Sequence, residues 1–413
     1  MDSWSCSTSV SGGGNSPVNN GKSFGDRLAY HLGLSKIWLG CDLRSWSRLL
    51  LSSGCSISMS RLPAAVGVTA GCALNTLGGC LQSARYHKAL NSETIHVTPV
   101  FVVGHWRSGT TLLHELLGRD PKGSMPTCLE CFLPHVCLLL SEDWASRLPA
   151  YLPAVRPMDA VQLGWDRGQE DEFFFCNRGL RTPYYRFAFP QRWTCADDFW
   201  GLFSMTEHEE QQFVANLFLL LKIIQLRRRR AKRSIERVVL KSPTHTARIA
   251  FLNHSLSTHL KERPRFLHIV RNPFEIYLST ERLWQRMCDD QGLHAPKFDA
   301  GELSHFIVTI FRKMHEASIR DIAGLPKDQY QVVRYEDIDP NRNAKDRVIH
   351  NLRRVYGEFG LELEDTSSMR TFLDEPFRQN SHRTLGANEL KLLQREWKDY
   401  FDRFGYSSTP RCG

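Results

Sequence analysis

The stretch PVFVVGHWRSGTTLLHELL, residues 99–117, joins three kinds of local sequence. Pro99–Val103 is an apolar, β-branched run that ends at Gly104 and predicts a buried strand. A loop follows, and a helix is predicted from Thr111 to Leu117. Backbone N–H groups at the start of a helix bind anions, and glycine lets a ligand approach the backbone closely. This strand–loop–helix unit therefore predicts a cradle for a phosphate-like group.

The loop matches the spacing of a nucleotide-triphosphate P-loop up to its second glycine and then departs from it. Thr110 stands where that loop carries lysine, and the cation is Arg107, inside the loop. An NTPase places a magnesium-binding acid at the end of a neighbouring strand, but here the run ending at Leu240 is followed by Lys241. We therefore expect a site that needs no metal, in which Arg107 and Lys241 supply positive charge to a phosphosulfate-like anion.

Elsewhere along the chain, strand-like runs alternate with amphipathic, helix-like segments. Such alternation predicts an α/β fold with a P-loop-like parallel β-sheet flanked by helices on both faces. The further predicted strands are Val238–Leu240, Phe266–Val270 and Gln331–Val333, and the helical segments are 206–226, 244–261, 274–288 and 302–323.

The N-terminal part of the chain differs in composition from the rest. Residues 1–24 are rich in Ser, Gly and Asn and predict a disordered tail, residues 25–95 predict a helical extension, and residues 96–413 predict the functional domain. Twenty uncharged positions, 62–81, are enough to span a bilayer. Their proline, glycines and Asn75 weaken that interpretation. We predict a buried or membrane-surface helix there, which leaves peripheral membrane contact open.

Composition narrows the class of protein. The chain has 413 residues, of which 42% are apolar and 23% charged, as in soluble globular proteins. Twelve cysteines at irregular spacing favour a reducing, cytoplasmic compartment. A net charge of +9 favours anionic partners. Much of the excess lies between Arg227 and Arg233, which we expect to form a solvated helix end. No aromatic series accompanies this run, so nucleic acid is not an expected partner.

Four segments resemble one family. VFVVGHWRSGTTLLHELLGRDP, starting at Val100, resembles the 5'-phosphosulfate-binding signature of sulfotransferases that use 3'-phosphoadenosine 5'-phosphosulfate (PAPS), in the bacterial-type branch whose loop reads RSGTT. VLKSPTH (239–245), FLHIVRNP through Ser279 and Thr280 (266–280), and VRYED (333–337) resemble further segments of the same family, in the same order. The resemblance covers roughly residues 97–340.

The resemblance implies the reaction and its co-substrate. A sulfuryl group would pass from PAPS, without a metal, to a hydroxyl or amine of a small-molecule, glycan or lipid acceptor. Neither the acceptor nor the oligomeric state follows from the motifs. Residues 142–165, a loop-rich insertion with three prolines, are a candidate acceptor-binding region.

The resemblance also implies the residues that bind the nucleotide. Arg271 and Ser279 would hold the 3'-phosphate. The segment Ser381-His382-Arg383 resembles a C-terminal loop that covers the nucleotide, although Thr384 stands where the family usually has an aromatic residue. The 5'-phosphosulfate would be held by Arg107, Ser108, Gly109, Thr110 and Thr111.

Catalysis requires stabilisation of the leaving oxygen and a base for the acceptor proton. Lys241 and Arg107 are the candidates for the leaving side. For the base, Glu130 is the first candidate, because its position after the first helix resembles that of a catalytic glutamate in some branches. His245 is the second, and the acidic cluster 170–172 is the third.

Two other classes remain open at the level of sequence. A P-loop-type nucleotide kinase or NTPase would need productive binding of ATP and magnesium. A catalytically silent protein with a sulfotransferase fold would bind the nucleotide without turnover. The absence of the P-loop lysine argues against the first, and the presence of Arg107, Lys241, Arg271 and Ser279 argues against the second.

Overall fold

A parallel five-stranded sheet forms the centre of the computed structural model, which describes residues 31–33, 35–52, 55–141, 164–190, 202–294, 300–377 and 383–409. Its spatial order is β2-β3-β1-β4-β5. Together with the flanking helices it confirms the predicted α/β fold. The strands are β1 (Thr98–Val103), β2 (Gly123–Ser124), β3 (Arg237–Lys241), β4 (Arg265–Val270) and β5 (Tyr330–Arg334).

The central strand, β1, is buried along its whole length, as its unbroken apolar run predicts. It pairs in parallel with β3 on one side and β4 on the other, with Val102 opposite Lys241 and Val103 opposite His268. The carboxyl ends of these strands therefore lie at one edge of the sheet. Ligands of open α/β sheets bind outside that edge. Since β5 pairs in parallel with β4, the topology brings all four family-like segments to this edge.

Fourteen α-helices and four short 3₁₀ helices surround the sheet within the described residues. The α-helices are α1 (Leu43–Ser52), α2 (Leu62–Ser92), α3 (Thr110–Leu117), α4 (Cys128–Phe132), α5 (Glu172–Asn177), α6 (Glu207–Arg230), α7 (Ile249–Ser257), α8 (Pro273–Gln291), α9 (Ala300–Ile322), α10 (Tyr335–Ile338), α11 (Lys345–Glu358), α12 (Ser367–Phe372), α13 (Ala387–Glu396) and α14 (Lys398–Phe404); the 3₁₀ helices are Ile37–Gly40, Met59–Arg61, Pro183–Phe187 and Pro243–Ala247.

The predicted helix over 244–261 is divided in the structure. A 3₁₀ helix, Pro243–Ala247, precedes α7, and Arg248 between them has a non-helical backbone, with φ −129° and ψ 20°. The guanidinium of Arg248 donates to the buried carboxylate of Glu172 at 2.9 Å. Because a long-range ion pair fixes the backbone at this position, amphipathic spacing alone could not reveal the break.

The N-terminal helical extension packs against the sheet domain and shares its hydrophobic core. Trp38 is fully buried, and its indole N–H donates to the backbone oxygen of Gln291 at the end of α8. Gly40 lies so close to Phe132 and Asn177 that a side chain would overlap them. This close approach fixes the extension beside α4 and α5.

Substitution of Gly109 tests whether the loop between β1 and α3 requires a glycine. Its φ is +103°, and a Cβ at this position would overlap the ring of Tyr335. We expect Gly109→Ala to lower the free energy of unfolding by about 2 kcal/mol, measured by chemical denaturation. The matched control is Gly357→Ala in the exposed part of α11, where nothing lies within 4 Å of the added methyl. That change should stabilise slightly. Equal effects of the two substitutions would contradict the assignment.

Candidate active site

The loop between β1 and α3 is wound by residues with positive φ. Gly104 has φ +147°, Arg107 +69° and Gly109 +103°. The N–H of Gly104 donates to the Thr246 hydroxyl at 2.7 Å, and the Ser108 hydroxyl donates to the backbone oxygen of His105 at 2.8 Å. These bonds hold the loop against the sheet edge, with α3 beginning directly after it at Thr110.

The residues expected to bind the nucleotide's phosphates meet at this edge. Arg107 donates through Nε to the Ser279 hydroxyl at 2.8 Å. Arg271 donates through Nη1 to the backbone oxygen of Arg107 at 3.1 Å, and its guanidinium stacks 4.1 Å from the centre of the Tyr335 ring. Loop, β4 end and α8 thus place three predicted residues in direct contact. Arg271 also donates to Glu275, in the first turn of α8, at 2.9 Å.

Lys241 lies at the carboxyl end of β3 with its side chain almost fully buried. Its Nζ is 2.9 Å from Glu170 Oε1 and 3.5 Å from the hydroxyl of Thr111 in the first turn of α3. A buried ammonium requires an anionic partner, and Glu170 supplies it. The arrangement places one cation and one carboxylate beside the start of α3.

The three acids at 170–172 have different surroundings although they are adjacent in sequence. Glu170 is the one that reaches the surface, with 12% of its side chain exposed, and it contacts Lys241. Glu172 is enclosed, and it accepts from Arg248 and from the hydroxyls of Thr182 and Thr244. These saturated contacts make Glu172 a structural anion.

Asp171 forms an equally closed pair with His245. Its Oδ2 is 2.7 Å from His245 Nε2, and both side chains are inaccessible to solvent. Burial favours the neutral acid, but His245 and Ser242 outweigh it and hold the pKa of Asp171 below its usual value. The Phe101 ring packs edge-on against the imidazole. The structure therefore places the His245 side chain in the interior, closed to solvent.

The second oxygen of Glu170 is bound by Tyr184, which Trp106 contacts in turn. The Tyr184 hydroxyl donates to Glu170 Oε2 and accepts from the Trp106 indole N–H at 3.1 Å. Burial and the charge of Glu170 raise the pKa of Tyr184 well above its usual value, so the phenol stays protonated and donates. Sequence reasoning did not single out this connection, because nothing in the spacing of Trp106 and Tyr184 indicates that they touch.

Glu130 occupies a different environment from Glu170. It lies in the first turn of α4, where it forms a capping box with Thr127, and it is fully buried. Arg227 and Arg228, near the end of α6, approach its Oε1 at 3.1 and 3.2 Å. Burial opposes ionisation, but the two guanidinium groups and Thr127 hold the pKa of Glu130 below its usual value.

The expected solvated end of α6 is correspondingly wrong for part of the arginine run. Arg227 and Arg228 are buried, and both contact Glu130. Arg229 pairs with Glu93, and Arg230 donates to the backbone oxygen of Leu138. A run of cations in sequence does not show which members face a buried acid, because the partner lies about a hundred positions away.

Comparison with known proteins agrees with this geometry. Residues 99–365 match the sequence profile of the Sulfotransferase family. The chain belongs to the sulfotransferase family. Among the relatives of this sulfotransferase are the omega-hydroxy-beta-dihydromenaquinone-9 sulfotransferases Stf3 of Mycobacterium bovis and Mycobacterium tuberculosis, each 32% identical over 381 residues, which are 91% of this chain and 92% of the relative.

Solved structures show that the sulfotransferase shares its fold with other members. Sulfotransferase STF9 from Mycobacterium avium superimposes with a TM-score of 0.59 and 18% identity, over 89% of this chain and 97% of that one. Sulfotransferase STF1 from Mycobacterium tuberculosis H37Rv gives 0.56 and 18%, over 81% and 87%. At this level of identity the similarity shows only a common fold, which consists of the parallel sheet and its flanking helices.

The C-terminal part of the sulfotransferase also approaches the site. Arg383 forms ion pairs with Glu281, two residues after Ser279 in α8, and with Glu389 in α13. Hydrogen bonds from Arg383 lower the pKa of Glu389 to about 2. Arg383 therefore packs against α8, the helix that carries Ser279. His382, which the sequence predicts to bind the nucleotide, lies outside the described residues.

The role of Glu130 is tested by Glu130→Gln. The substitution leaves two buried guanidinium groups without their anion, so we expect a loss of about 3–5 kcal/mol in unfolding free energy at pH 7. Because folding lowers the pKa of Glu130, its contribution is present above the unfolded carboxyl pKa and is lost as the pH falls. The difference in unfolding free energy between the wild type and the Glu130→Gln variant should therefore become smaller below about pH 4.3. Denaturant titrations at several pH values measure it.

The matched control is Glu316→Gln. Glu316 pairs with Arg312 on the exposed surface of α9 and should affect stability little at any pH. A Glu130→Gln protein as stable as this control would contradict the structural role assigned to Glu130.

Proposed function

We propose that this sulfotransferase transfers the sulfuryl group of PAPS to a hydroxyl group of an apolar, lipid-like acceptor. The observation that carries the proposal is the pair formed by Lys241 and Glu170 beside the first turn of α3, where a cation and a partly exposed carboxylate adjoin an anion-binding loop. The pair offers a stabilising charge for the leaving group and a base for the acceptor in one place.

The surplus of positive charge around the loop fits an anionic donor. Burial and the neighbouring charges of Arg107 and Arg286 lower the pKa of Arg282, one turn beyond Ser279 in α8. Guanidinium groups that disfavour one another in this way would be stabilised by the phosphates of a bound nucleotide. Arg107 and the N-terminus of α3 would hold the 5'-phosphosulfate, and Arg271 with Ser279 would hold the 3'-phosphate.

Sulfuryl transfer makes one bond and breaks another at sulfur. The acceptor oxygen bonds to sulfur while the bond from sulfur to the bridging phosphate oxygen breaks, and the bonding electrons pass to that oxygen. Lys241 and Arg107 stabilise the charge that develops there. The acceptor loses its proton to Glu170, so the products are the sulfate ester and 3'-phosphoadenosine 5'-phosphate (PAP).

Glu170 is proposed as the base because an acceptor can reach it. A general base must lie within hydrogen-bond reach of the proton that it removes. Glu130 and His245 are both inaccessible to solvent, whereas Glu170 is partly exposed and lies beside Lys241. The proposed base therefore comes from the acidic cluster at 170–172, the third candidate from sequence, and not from Glu130 or His245.

Two observations support an apolar acceptor that carries a hydroxyl. The Stf3 relatives are named for an omega-hydroxylated dihydromenaquinone, which combines these features. Tyr184, which donates to Glu170, also belongs to an aromatic cluster, in which Trp106 packs against Tyr184 and Trp284 and Phe173 stacks on Tyr184. An aromatic cluster beside the proposed base is compatible with a flat or hydrocarbon acceptor.

Donor binding is tested by thermal unfolding in the presence of PAP. A ligand well above its dissociation constant stabilises the folded state, and at a hundredfold excess the gain is about 2.7 kcal/mol. We expect PAP to raise the melting temperature without magnesium. Arg107→Ala should remove most of this effect, while the control Arg353→Ala on exposed α11 should retain it. Stabilisation by magnesium–ATP and not by PAP would instead support a kinase.

The base is tested with Glu170→Gln, assayed with PAPS and a lipid bearing a terminal hydroxyl. We expect kcat to fall by about 10²–10⁴-fold because proton removal is lost. Stabilisation by PAP should persist, which shows that the fold and donor site remain intact. The control is Glu130→Gln, whose folded fraction should keep its kcat. A kcat for Glu170→Gln close to that of wild type would exclude Glu170 as the base.

A further inference from the structure

Helix α2 presents large apolar side chains to solvent. Leu62, Val66, Leu74, Leu77 and Leu81 are all exposed, and they recur at intervals that place them on one side of the helix. By length and composition the helical segment Met59–Ser92 could cross a membrane. Only 28% of its most apolar 18-residue stretch is buried within the protein, so most of that stretch faces outward. Soluble proteins rarely expose such a continuous apolar strip.

The opposite side of α2 carries small and polar residues, and this side faces the protein. Side chains at Gly67 and Gly71 would overlap Leu32 and Leu39. Asn75 donates to the backbone oxygen of Leu39, and Gln82 donates to that of Pro134 at 2.9 Å. The usual pattern of a surface helix is therefore reversed, with small residues inside and large aliphatic residues outside.

This docking distinguishes a helix that lies on a membrane from one that spans it. A spanning helix would have lipid or other membrane helices around it, and Asn75 and Gln82 would need partners there. Here both amides are already bonded to the domain that carries the active site. Only the outer side of α2 is available for lipid, so the helix can contact a bilayer along its length.

Neighbouring segments extend the apolar strip. Leu43 and Leu51 on α1 are exposed, and so is Met59 just before α2. We call these three residues and the five of α2 the apolar face. Leu43 is joined to α2 because its N–H donates to the Thr76 hydroxyl at 2.9 Å.

Cations outnumber acids in the segments that carry the apolar face. Asp42 is the one acidic residue between positions 31 and 92 of the sequence. Arg44 and Arg48 are exposed on α1, and Arg85 and Lys88 are exposed in the last turns of α2, following the row of leucines. Lysine and arginine next to an apolar helix face favour a surface of anionic lipid headgroups.

We propose that the apolar face and its four exposed cations dock this protein on the surface of an anionic lipid bilayer, with α2 lying in the plane of the membrane. The leucines enter the acyl boundary while the cations contact the headgroups. Because Gly40 and Trp38 join this region to α5 and α8, a docked molecule holds its active site at a fixed position relative to the membrane.

Vesicle flotation of the full chain tests the proposal, without donor or acceptor, so that its outcome is independent of the proposed reaction. We expect wild type to float with phosphatidylcholine vesicles containing phosphatidylglycerol, and less with phosphatidylcholine alone. The variant Leu74→Gln, Leu77→Gln, Leu81→Gln should bind at least about tenfold more weakly. Its melting temperature should stay near that of wild type, because these side chains are exposed.

The charge contribution is tested with Arg85→Glu, Lys88→Glu, which should bind anionic vesicles at least about tenfold more weakly. The matched control, Arg353→Glu, Arg354→Glu, makes the same change of charge on exposed α11 and should bind like wild type.

Four results would overturn the proposal. The first is a wild-type protein that binds neither kind of vesicle, and the second is a triple glutamine variant that binds like wild type. The third is protein that resists an alkaline carbonate wash, which would indicate insertion across the bilayer. The fourth is a dimer in sedimentation velocity that the glutamine changes dissociate, without vesicle binding, which would assign the apolar face to a second copy.

Discussion

The parallel register of β1 between β3 and β4 is the constraint on which the site depends. It brings Gly104, Lys241 and Arg271 to a single edge of the sheet, although well over a hundred residues separate the first from the others. Hydrogen bonds in a parallel ladder fix this arrangement more firmly than any side-chain contact could, because slipping one strand would move its terminal residue away from the other two. The phosphate loop can then rely on a rigid edge for support.

Charge at this edge is organised in two ways. The pairs made by Glu130, Asp171 and Glu172 are enclosed by protein, and each acid contacts a buried arginine or histidine. Such pairs fix the positions of the segments that carry them and leave nothing for a ligand to contact. The Lys241–Glu170 pair differs because its carboxylate is partly exposed. Three of these four ion pairs therefore stabilise the fold, whereas the Lys241–Glu170 pair is suited to a catalytic role.

Sequence reasoning located the elements well where the signal is local. The apolar runs of β1, β3, β4 and β5 matched the strands to within one residue at each end, because a buried parallel strand is continuously apolar. It missed the two-residue strand β2, which is too short to show a pattern. It ranked Glu130 above the cluster that contains Glu170, because the sequence does not show the distant Arg227, Arg228 and Lys241 by which their surroundings differ.

The hydrogen-bonded connection from Trp106 through Tyr184 to Glu170 has a consequence for how two ligands share the site. Trp106 immediately precedes Arg107 in the loop, so the carboxylate at the other end of the connection takes its position from the same backbone segment. A movement of the loop at Trp106 must shift Tyr184 or break a buried hydrogen bond. If the loop moves when it binds a donor, as the proposed function would require, donor binding there would be coupled in free energy to acceptor binding at Glu170.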